Sequence, residues 1–397
     1  MNAYRKRAAA VLAVVSLAAT AGATPDLGDA TNQFGWDLYH KLSAAEDGNL
    51  FYSPASIALA LGMTWSGAKG PTAAEMARVL HLPDDDPGTL AAFQEFLAAL
   101  EPRRDAYELH IANRLFGRQG AGFLPTFLDG VAQGFGAPLQ EVDFMGDPEA
   151  SRILINDWVA EQTRDRILDL LAPGTIDRDT ELVLTNAIYF LAGWAEAFKE
   201  GLTSEAEFHR PGDSAVAVPF MEKTESFRYL ENDLVQVVAL PYADHELEMV
   251  VILPRETAGL ADLERGLTWG EIEGWVDGLA ARSVQVRLPR FELEGEFELG
   301  QVLADLGMPT AFTGRADFSG MNGEGGLFIS KVVHKSFVKV DEQGTEAAAA
   351  TAVVMKRTSI EPMGDPVLFQ ADHPFLFMIK HRTTGAVLFM GKVADPS

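Results

Sequence analysis

The sequence contains no cysteine among its 397 residues. This absence excludes disulfide bonds, thiolate nucleophiles, iron–sulfur clusters and zinc sites built on cysteine. Hydrophobic residues, in contrast, make up 47% of the chain, well above the share found in disordered proteins. We therefore expect a globular protein that is held together by a large core and by no covalent cross-link.

Positive charge is also scarce, since 32 Lys and Arg residues face 57 Asp and Glu residues, for a formal net charge of −25. Nucleic acids and anionic membrane surfaces attract proteins with an excess of Lys and Arg. The charge balance therefore argues against a nucleic acid or a membrane surface as the main partner.

The motifs of the common enzyme classes are missing. The sequence has no HExxH zinc helix, no GxSxG elbow, no phosphate-binding loop and no GxGxxG turn between a strand and a helix. The eight histidines are scattered, and the acidic run Asp84-Asp85-Asp86 is typical of the solvated surface of an acidic chain. We expect neither an enzyme nor a metal or cofactor site.

The first 23 residues have the pattern of a secretory signal peptide. A basic stretch over residues 5–7 precedes an apolar run over residues 8–17, and Ala21-Gly22-Ala23 provides small residues for cleavage. The apolar run is shorter than the roughly 20 residues that span a membrane. We expect a secreted, extracellular protein that is cleaved after Ala23, with a cut after Ala21 as the alternative.

The length alone would allow two or three domains, but residues 32–392 contain no linker, repeat or low-complexity tract. One domain over residues 24–397 is therefore favoured. Its first third is predicted to be mainly helical, with a helix that begins at Ser53-Pro54 and an amphipathic helix over residues 155–171. From Glu181 onward, short β-branched or aromatic segments predict strands. This order indicates an α+β fold with antiparallel or mixed sheets.

The stretch GTEAAAATAVVMK, residues 344–356, allows two interpretations. Its alanines favour a helix. With a period of two, however, uncharged residues of small to medium size share one face, while the charges of Glu346 and Lys356 lie on the other. Such a face suits a strand that enters between two existing strands, with Gly344 as the pivot. The uncharged face consists of Thr345, Ala347, Ala349, Thr351, Val353 and Met355.

These motifs together resemble the serpin family. The stretch EQGTEAAAATAVV at residues 342–354 is similar to the family's inhibitory hinge, and FQADHPFLFMI at 369–379 to its C-terminal signature. Further matching motifs follow in the family's order from about Phe34 to Lys392. They are NLFYSPASIALAL (49–61), ANRLFG (112–117), INDWVAEQT (155–163), LVLTNAIYF with Trp194 (182–194), LPRFELE (288–294), LGMPTAF (306–312) and DFSGM (317–321).

The resemblance implies a single serpin domain with three β-sheets, about nine helices and an exposed reactive-centre loop at about residues 342–368. It also implies a function as a suicide substrate for serine proteases. The target cleaves the loop, which then inserts into the large sheet before the acyl-enzyme is hydrolysed. The uncleaved state is therefore expected to be metastable.

Counting from Gly344 at the family's spacing places the scissile bond between Thr358 and Ser359. A threonine before the cut favours elastase- or subtilisin-like targets. Arg357 is one residue upstream, so a trypsin-like protease that cuts between Arg357 and Thr358 remains the alternative.

The resemblance assigns three further groups of residues. The hinge comprises Glu342, Gly344, Thr345, Glu346, Ala347, Ala348, Ala349 and Ala350. A cluster under the centre of the large sheet, which must rearrange as the sheet opens, comprises Ser53, Ser56, Asn186 and His334. Trp194, Arg290 and Glu342 are assigned to the point where the loop enters, with the last two as an ion pair of surface type.

We expect a monomer. Activation by heparin is not expected, since the region in which some relatives bind heparin, residues 87–104 here, contains only Arg103 and Arg104 as basic residues. The alternative function is that of a non-inhibitory serpin with a carrier, storage or chaperone role. Such members usually have bulky, charged or proline residues in the hinge, whereas Gly344-Thr345 and the four alanines at residues 347–350 are small and uncharged.

Overall fold

The computed structural model describes residues 26–44, 48–83, 88–100, 107–212, 214–345 and 365–397. Its α-helices are α1 (Leu27–Ser43), α2 (Pro54–Trp65), α3 (Gly70–Val79), α4 (Thr89–Leu100), α5 (Pro125–Phe135), α6 (Pro148–Gln162), α7 (Leu260–Gly266), α8 (Trp269–Asp277), α9 (Gly300–Leu306) and α10 (Ser319–Asn322). Its strands are β1 (Leu50–Tyr52), β2 (Tyr107–Arg118), β3 (Gln140–Val142), β4 (Leu182–Gly193), β5 (Ser204–Arg210), β6 (Ser214–Glu231), β7 (Val235–Pro241), β8 (Leu247–Pro254), β9 (Ala280–Pro289), β10 (Phe291–Glu298), β11 (Ile329–Val340), β12 (Gly344–Thr345), β13 (Val367–Gln370), β14 (Phe375–His381) and β15 (Val387–Val393).

The large sheet has six strands in the order β10-β11-β12-β4-β2-β3. Its two central long strands, β4 and β11, are parallel and pair from Ile329 with Leu182 to Ser336 with Ile188. Their outer neighbours, β2 and β10, are antiparallel to them. The short strand β12 lies between the C-terminal ends of β4 and β11.

The other nine strands form one hydrogen-bonded set, rather than the two separate sheets expected from the resemblance. The reason is the length of β6, whose 18 residues pair with β9 over Phe220–Tyr229 and with β7 over Arg228–Glu231. The α+β class with mixed sheets is confirmed, as is a count of about nine helices, with ten in the described ranges.

Helix α2 is buried along nearly its whole length and packs between the two groups of strands. It begins where the sequence predicts, because the Ser53 side chain accepts a hydrogen bond from the Ser56 backbone N–H and Pro54 occupies the first turn. On the opposite face of the large sheet, Ile155 and Val159 of α6 belong to the same buried hydrophobic cluster as Val183 and Ala187 of β4. The centre of the sheet is thus covered on both faces.

The predicted helix over residues 155–171 is wrong at both ends. Helix α6 begins at Pro148, because the Asp147 carboxylate caps its first turn. It ends at Gln162, and the next turn places Arg164 and Asp165 at positive φ. The Thr163 hydroxyl accepts a hydrogen bond from the Ile167 backbone N–H and stabilises this break.

Within the described ranges, no helix is long and apolar enough to cross a membrane. In the same ranges, His, Asp and Glu side chains form no group of three that could hold a metal ion.

Candidate functional site

The first hinge residues, Gly344 and Thr345, occupy a strand position inside the large sheet. They form β12, which pairs antiparallel with Gly193 and Ala192 of β4, while Thr345 also pairs with Val340 of β11. The chain therefore reverses direction after β11 and begins a new strand between the two central ones. Gly344 and Thr345 are thus in strand conformation, and the rest of the period-two pattern, residues 346–356, lies outside the described ranges.

Gly344 is required by the close approach of β4. A Cβ atom at this position would lie 2.1 Å from the Ala192 carbonyl oxygen and 2.7 Å from the Gly193 Cα. Its φ of 154° also lies in a region that L-amino acids rarely adopt. Any side chain here would push the hinge away from β4.

Thr345 is fully buried, and its hydroxyl lies 2.6 Å from the Tyr242 hydroxyl. The Tyr242 ring stacks on Trp194 at a centroid distance of 4.7 Å. Burial raises the pKa of Tyr242, so its phenol stays neutral and available for this hydrogen bond. The first inserted side chain thus fits a neutral pocket without an unpaired polar group.

The turn after β4 holds the hinge through its backbone. The Trp194 N–H donates to the Gln343 carbonyl at 2.9 Å, and its indole N–H donates to the Asp341 carbonyl at 2.9 Å. The Phe198 N–H donates to the Glu342 carbonyl at 2.8 Å. Residues 194–198 therefore bind three consecutive carbonyls, those of Asp341, Glu342 and Gln343, so Trp194 directly contacts the start of the hinge.

The ion pair between Arg290 and Glu342 is present, but its carboxylate is not on the surface. Glu342 is only 3% exposed, and its carboxylate accepts hydrogen bonds from the Arg290 guanidinium and the Thr203 hydroxyl. Burial alone would raise the pKa of Glu342, but these hydrogen bonds outweigh it and hold the pKa below its usual range. The expectation of a surface pair is therefore wrong for the glutamate.

The predicted cluster of Ser53, Ser56, Asn186 and His334 is assembled and completely buried at the centre of the sheet. Asn186 and His334 are register partners on β4 and β11. The Ser53 backbone N–H donates to His334 Nε2 at 3.2 Å, so Nδ1 carries the proton and donates to the Asn186 side-chain oxygen. Asn186 in turn donates to the Ser56 hydroxyl at 2.6 Å.

Asn113 of β2 is a member of this cluster that the sequence does not reveal. It is the register partner of Asn186, accepts a hydrogen bond from the Asn186 amide and donates to the Ser56 carbonyl at 2.9 Å. The available signal was a single asparagine in the strand segment ANRLFG. With Asn113 included, the cluster ties β2, β4 and β11 to the first turn of α2.

Desolvation by burial lowers the pKa of His334 to about 3, so its imidazole is neutral at physiological pH. Neutrality fits its contacts, because one ring nitrogen must accept the Ser53 proton. The cluster therefore holds the sheet closed through hydrogen bonds among neutral groups.

The remaining predicted residues lie outside the described ranges. They are Glu346, Ala347, Ala348, Ala349, Ala350, Arg357, Thr358 and Ser359.

Comparisons with known proteins agree with this architecture. A family model described as "Serpin (serine protease inhibitor)" matches residues 29–396. The chain is 40% identical over 380 residues to a leukocyte elastase inhibitor of Xenopus laevis, covering 94% of this chain and 100% of that protein. It is 41% identical over 377 residues to Serpin B6 of Macaca fascicularis, with coverages of 93% and 99%. The crystal structure of Serpin48 from the insect Tenebrio molitor matches with a TM-score of 0.84 and 32% identity, covering 94% and 98% of the two chains.

The described residues thus combine a six-stranded sheet, the start of the hinge paired inside it, and a buried polar cluster beneath it. The chain belongs to the serpin family, and it is a serpin-type serine protease inhibitor rather than an enzyme.

The neutral state of His334 predicts a loss of stability in acid. The unfolded histidine binds a proton near pH 6.5 and the folded one only near pH 3, so its contribution is present above pH 6.5 and is lost as the pH falls toward 3. Between pH 7 and 5, we expect the free energy of unfolding to fall by about 2 kcal/mol more in the wild type than in His334→Gln. Urea denaturation at both pH values measures this difference.

The control is His245→Asn, since His245 is exposed and asparagine tolerates its φ of 59°. This variant should keep the acid dependence of the wild type. Equal acid dependence in the wild type and His334→Gln would contradict the assignment of a neutral buried histidine.

Proposed function

We propose that the protein inhibits its targets as a suicide substrate, through cleavage of the reactive-centre loop and insertion of the cut loop between β4 and β11. The single observation that carries this proposal is the position of Gly344 and Thr345. They already pair with β4 in the antiparallel direction that a continuing inserted strand would keep. Insertion would then extend an existing strand rather than begin a new one.

The energetics favour insertion after cleavage. The incoming strand must break the parallel ladder between residues 329–336 and 182–188, and it replaces this ladder with antiparallel pairing on both of its sides. About fourteen residues at about 3.3 Å each would reach about 45 Å. If about ten net hydrogen bonds form, the gain is on the order of 10 kcal/mol, comparable to the stability of a whole domain.

For the target, we propose an elastase- or subtilisin-like serine protease that cuts between Thr358 and Ser359. The small side chain of Thr358 suits a shallow specificity pocket. The similarity to a leukocyte elastase inhibitor of Xenopus laevis supports this choice. A trypsin-like protease that cuts after Arg357 is the alternative.

We also propose that the protein is exported and that residues 1–23 are removed. The basic stretch, the apolar run and the small residues before Thr24 support this proposal.

Suicide inhibition predicts a covalent complex that withstands denaturation. Incubation with elastase or subtilisin should give a band at the summed mass on a denaturing gel. In Thr345→Arg the yield of this band should fall at least about tenfold, because a charge would have to enter the buried site of Thr345 without a partner. The variant should instead be cleaved as a substrate.

The matched control is Thr313→Arg, which adds the same charge to an exposed loop and should form the complex like the wild type. Cleavage of the wild type by elastase, subtilisin and trypsin, with no covalent band and no rise in thermal stability, would contradict suicide inhibition.

Mass spectrometry of the C-terminal peptide released by elastase identifies the scissile bond. We expect a peptide that begins at Ser359. A peptide that begins at Thr358 would assign the cut to Arg357 and shift the target toward trypsin-like proteases.

Export is tested by expression in a secreting host. The protein in the medium should begin at Thr24, and a variant without residues 2–23 should remain inside the cell. A full-length chain retained in the cell would refute the assignment of a signal peptide.

A further inference from the structure

Lys223 on β6 lies beside the loop entrance with its charge facing two aromatic rings. Its ammonium is 4.8 Å from the Phe198 ring centroid and 5.3 Å from that of Phe227, and it donates a hydrogen bond to the Glu196 carbonyl. Its side chain is only 10% exposed. A cation between aromatic faces, with little water nearby, makes stronger cation–π contacts than an exposed one.

The charged groups around Lys223 lie on its own strand and on the turn that it contacts. Glu225, on β6, is 3.8 Å away, and the carboxylate of Glu196 attracts the ammonium from the turn. Burial lowers the pKa of Lys223, and these two acids act in the opposite direction. Together they favour the ammonium form that the two rings and the Glu196 carbonyl bind.

Phe198 connects this cation to the hinge. Its ring packs edge-on against Trp194 at a centroid distance of 6.0 Å, and its backbone N–H donates to the Glu342 carbonyl. Lys223 therefore fixes both the ring of Phe198 and the backbone of the turn at Glu196. Phe198 is thus the one residue that lies between Lys223 and the Glu342 carbonyl of the hinge.

The same strand also supports the second group that binds Glu342. The Arg290 backbone N–H donates to the Pro219 carbonyl of β6 at 2.9 Å, and the Arg290 side chain binds the Glu342 carboxylate. Strand β6 thus positions both the donor to the Glu342 carbonyl and the cation at its carboxylate.

We propose that Lys223 is a positioning residue for loop insertion, which holds the 194–198 turn against the hinge and thereby keeps Gly344 and Thr345 paired as the starting point of the inserted strand. The inference rests on the proposed suicide mechanism. Because β12 is already paired with β4, contacts that hold it there favour extension of the strand after cleavage. Losing them would slow insertion and let the acyl-enzyme hydrolyse first.

Two uncharged variants and one charged variant separate the roles of Lys223. Lys223→Met keeps the length and apolar packing but removes the charge, and Lys223→Gln keeps a donor for the Glu196 carbonyl. Lys223→Arg keeps the cation over the rings. Lys380→Met removes a lysine from β14, outside the hinge contacts, and serves as the control.

The first readout is hydrogen exchange of the Trp194 and Phe198 backbone amides, which donate directly to the hinge and need no protease. We expect exchange about three- to tenfold faster in Lys223→Met and Lys223→Gln, and within about twofold of the wild type in Lys223→Arg and Lys380→Met. Unchanged exchange in both uncharged variants would overturn the positioning role, whether or not the wild type inhibits a protease.

The second readout is the number of inhibitor molecules cleaved for each protease molecule trapped, measured well below the unfolding temperature. This ratio should rise about three- to tenfold in both uncharged variants and return to the wild-type value in Lys223→Arg. An unchanged ratio despite faster exchange would mean that the contact does not affect trapping. A lower ratio would mean that the turn restrains the loop. Either result overturns the proposal. A wild type that forms no covalent complex would instead refute suicide inhibition, while the exchange measurement still tests the contact.

Discussion

The structure depends on the pairing of two parallel strands, β4 and β11, which closes the large sheet and which the proposed loop insertion would have to separate. Both faces of this pair are covered, by α2 on one side and α6 on the other. A new strand therefore has to enter along the sheet from one end. The C-terminal end of the pair is the available one, since β12 already lies between β4 and β11 there, with Thr345 paired to Val340 of β11.

The buried cluster beneath this pair strengthens the closure of the sheet. Asn186 and His334 join the two strands through side chains, in addition to the backbone ladder. Neutral amide, hydroxyl and imidazole groups pair directionally, and leaving any of them unpaired in the interior is costly. In the proposed mechanism, separation of the strands would therefore require that the incoming strand restores the lost backbone bonds and that the cluster finds new partners.

Much of this could be predicted from the sequence, because the signals are local. The cap at Ser53, the small-residue hinge and the order of helices and strands each lie within a few neighbouring residues. Asn113, Tyr242 and Lys223 could not be assigned, since the residues that link them to the cluster or the hinge, Asn186, Thr345 and Phe198, are distant in sequence. Each is a single polar residue within a segment that otherwise predicts a strand. The single set of nine strands was also hidden, because it depends on the three-dimensional path of β6.

The loop entrance and the centre of the large sheet respond differently to acid. At the entrance, charged groups hold the hinge, and the Glu342 carboxyl keeps its charge into acid because hydrogen bonds outweigh its burial. At the centre, His334 is held neutral by burial, so mild acid already opposes the closed state there. Mild acid therefore reduces the stability that the centre of the sheet gains from His334, while the ion pair at the hinge is still charged.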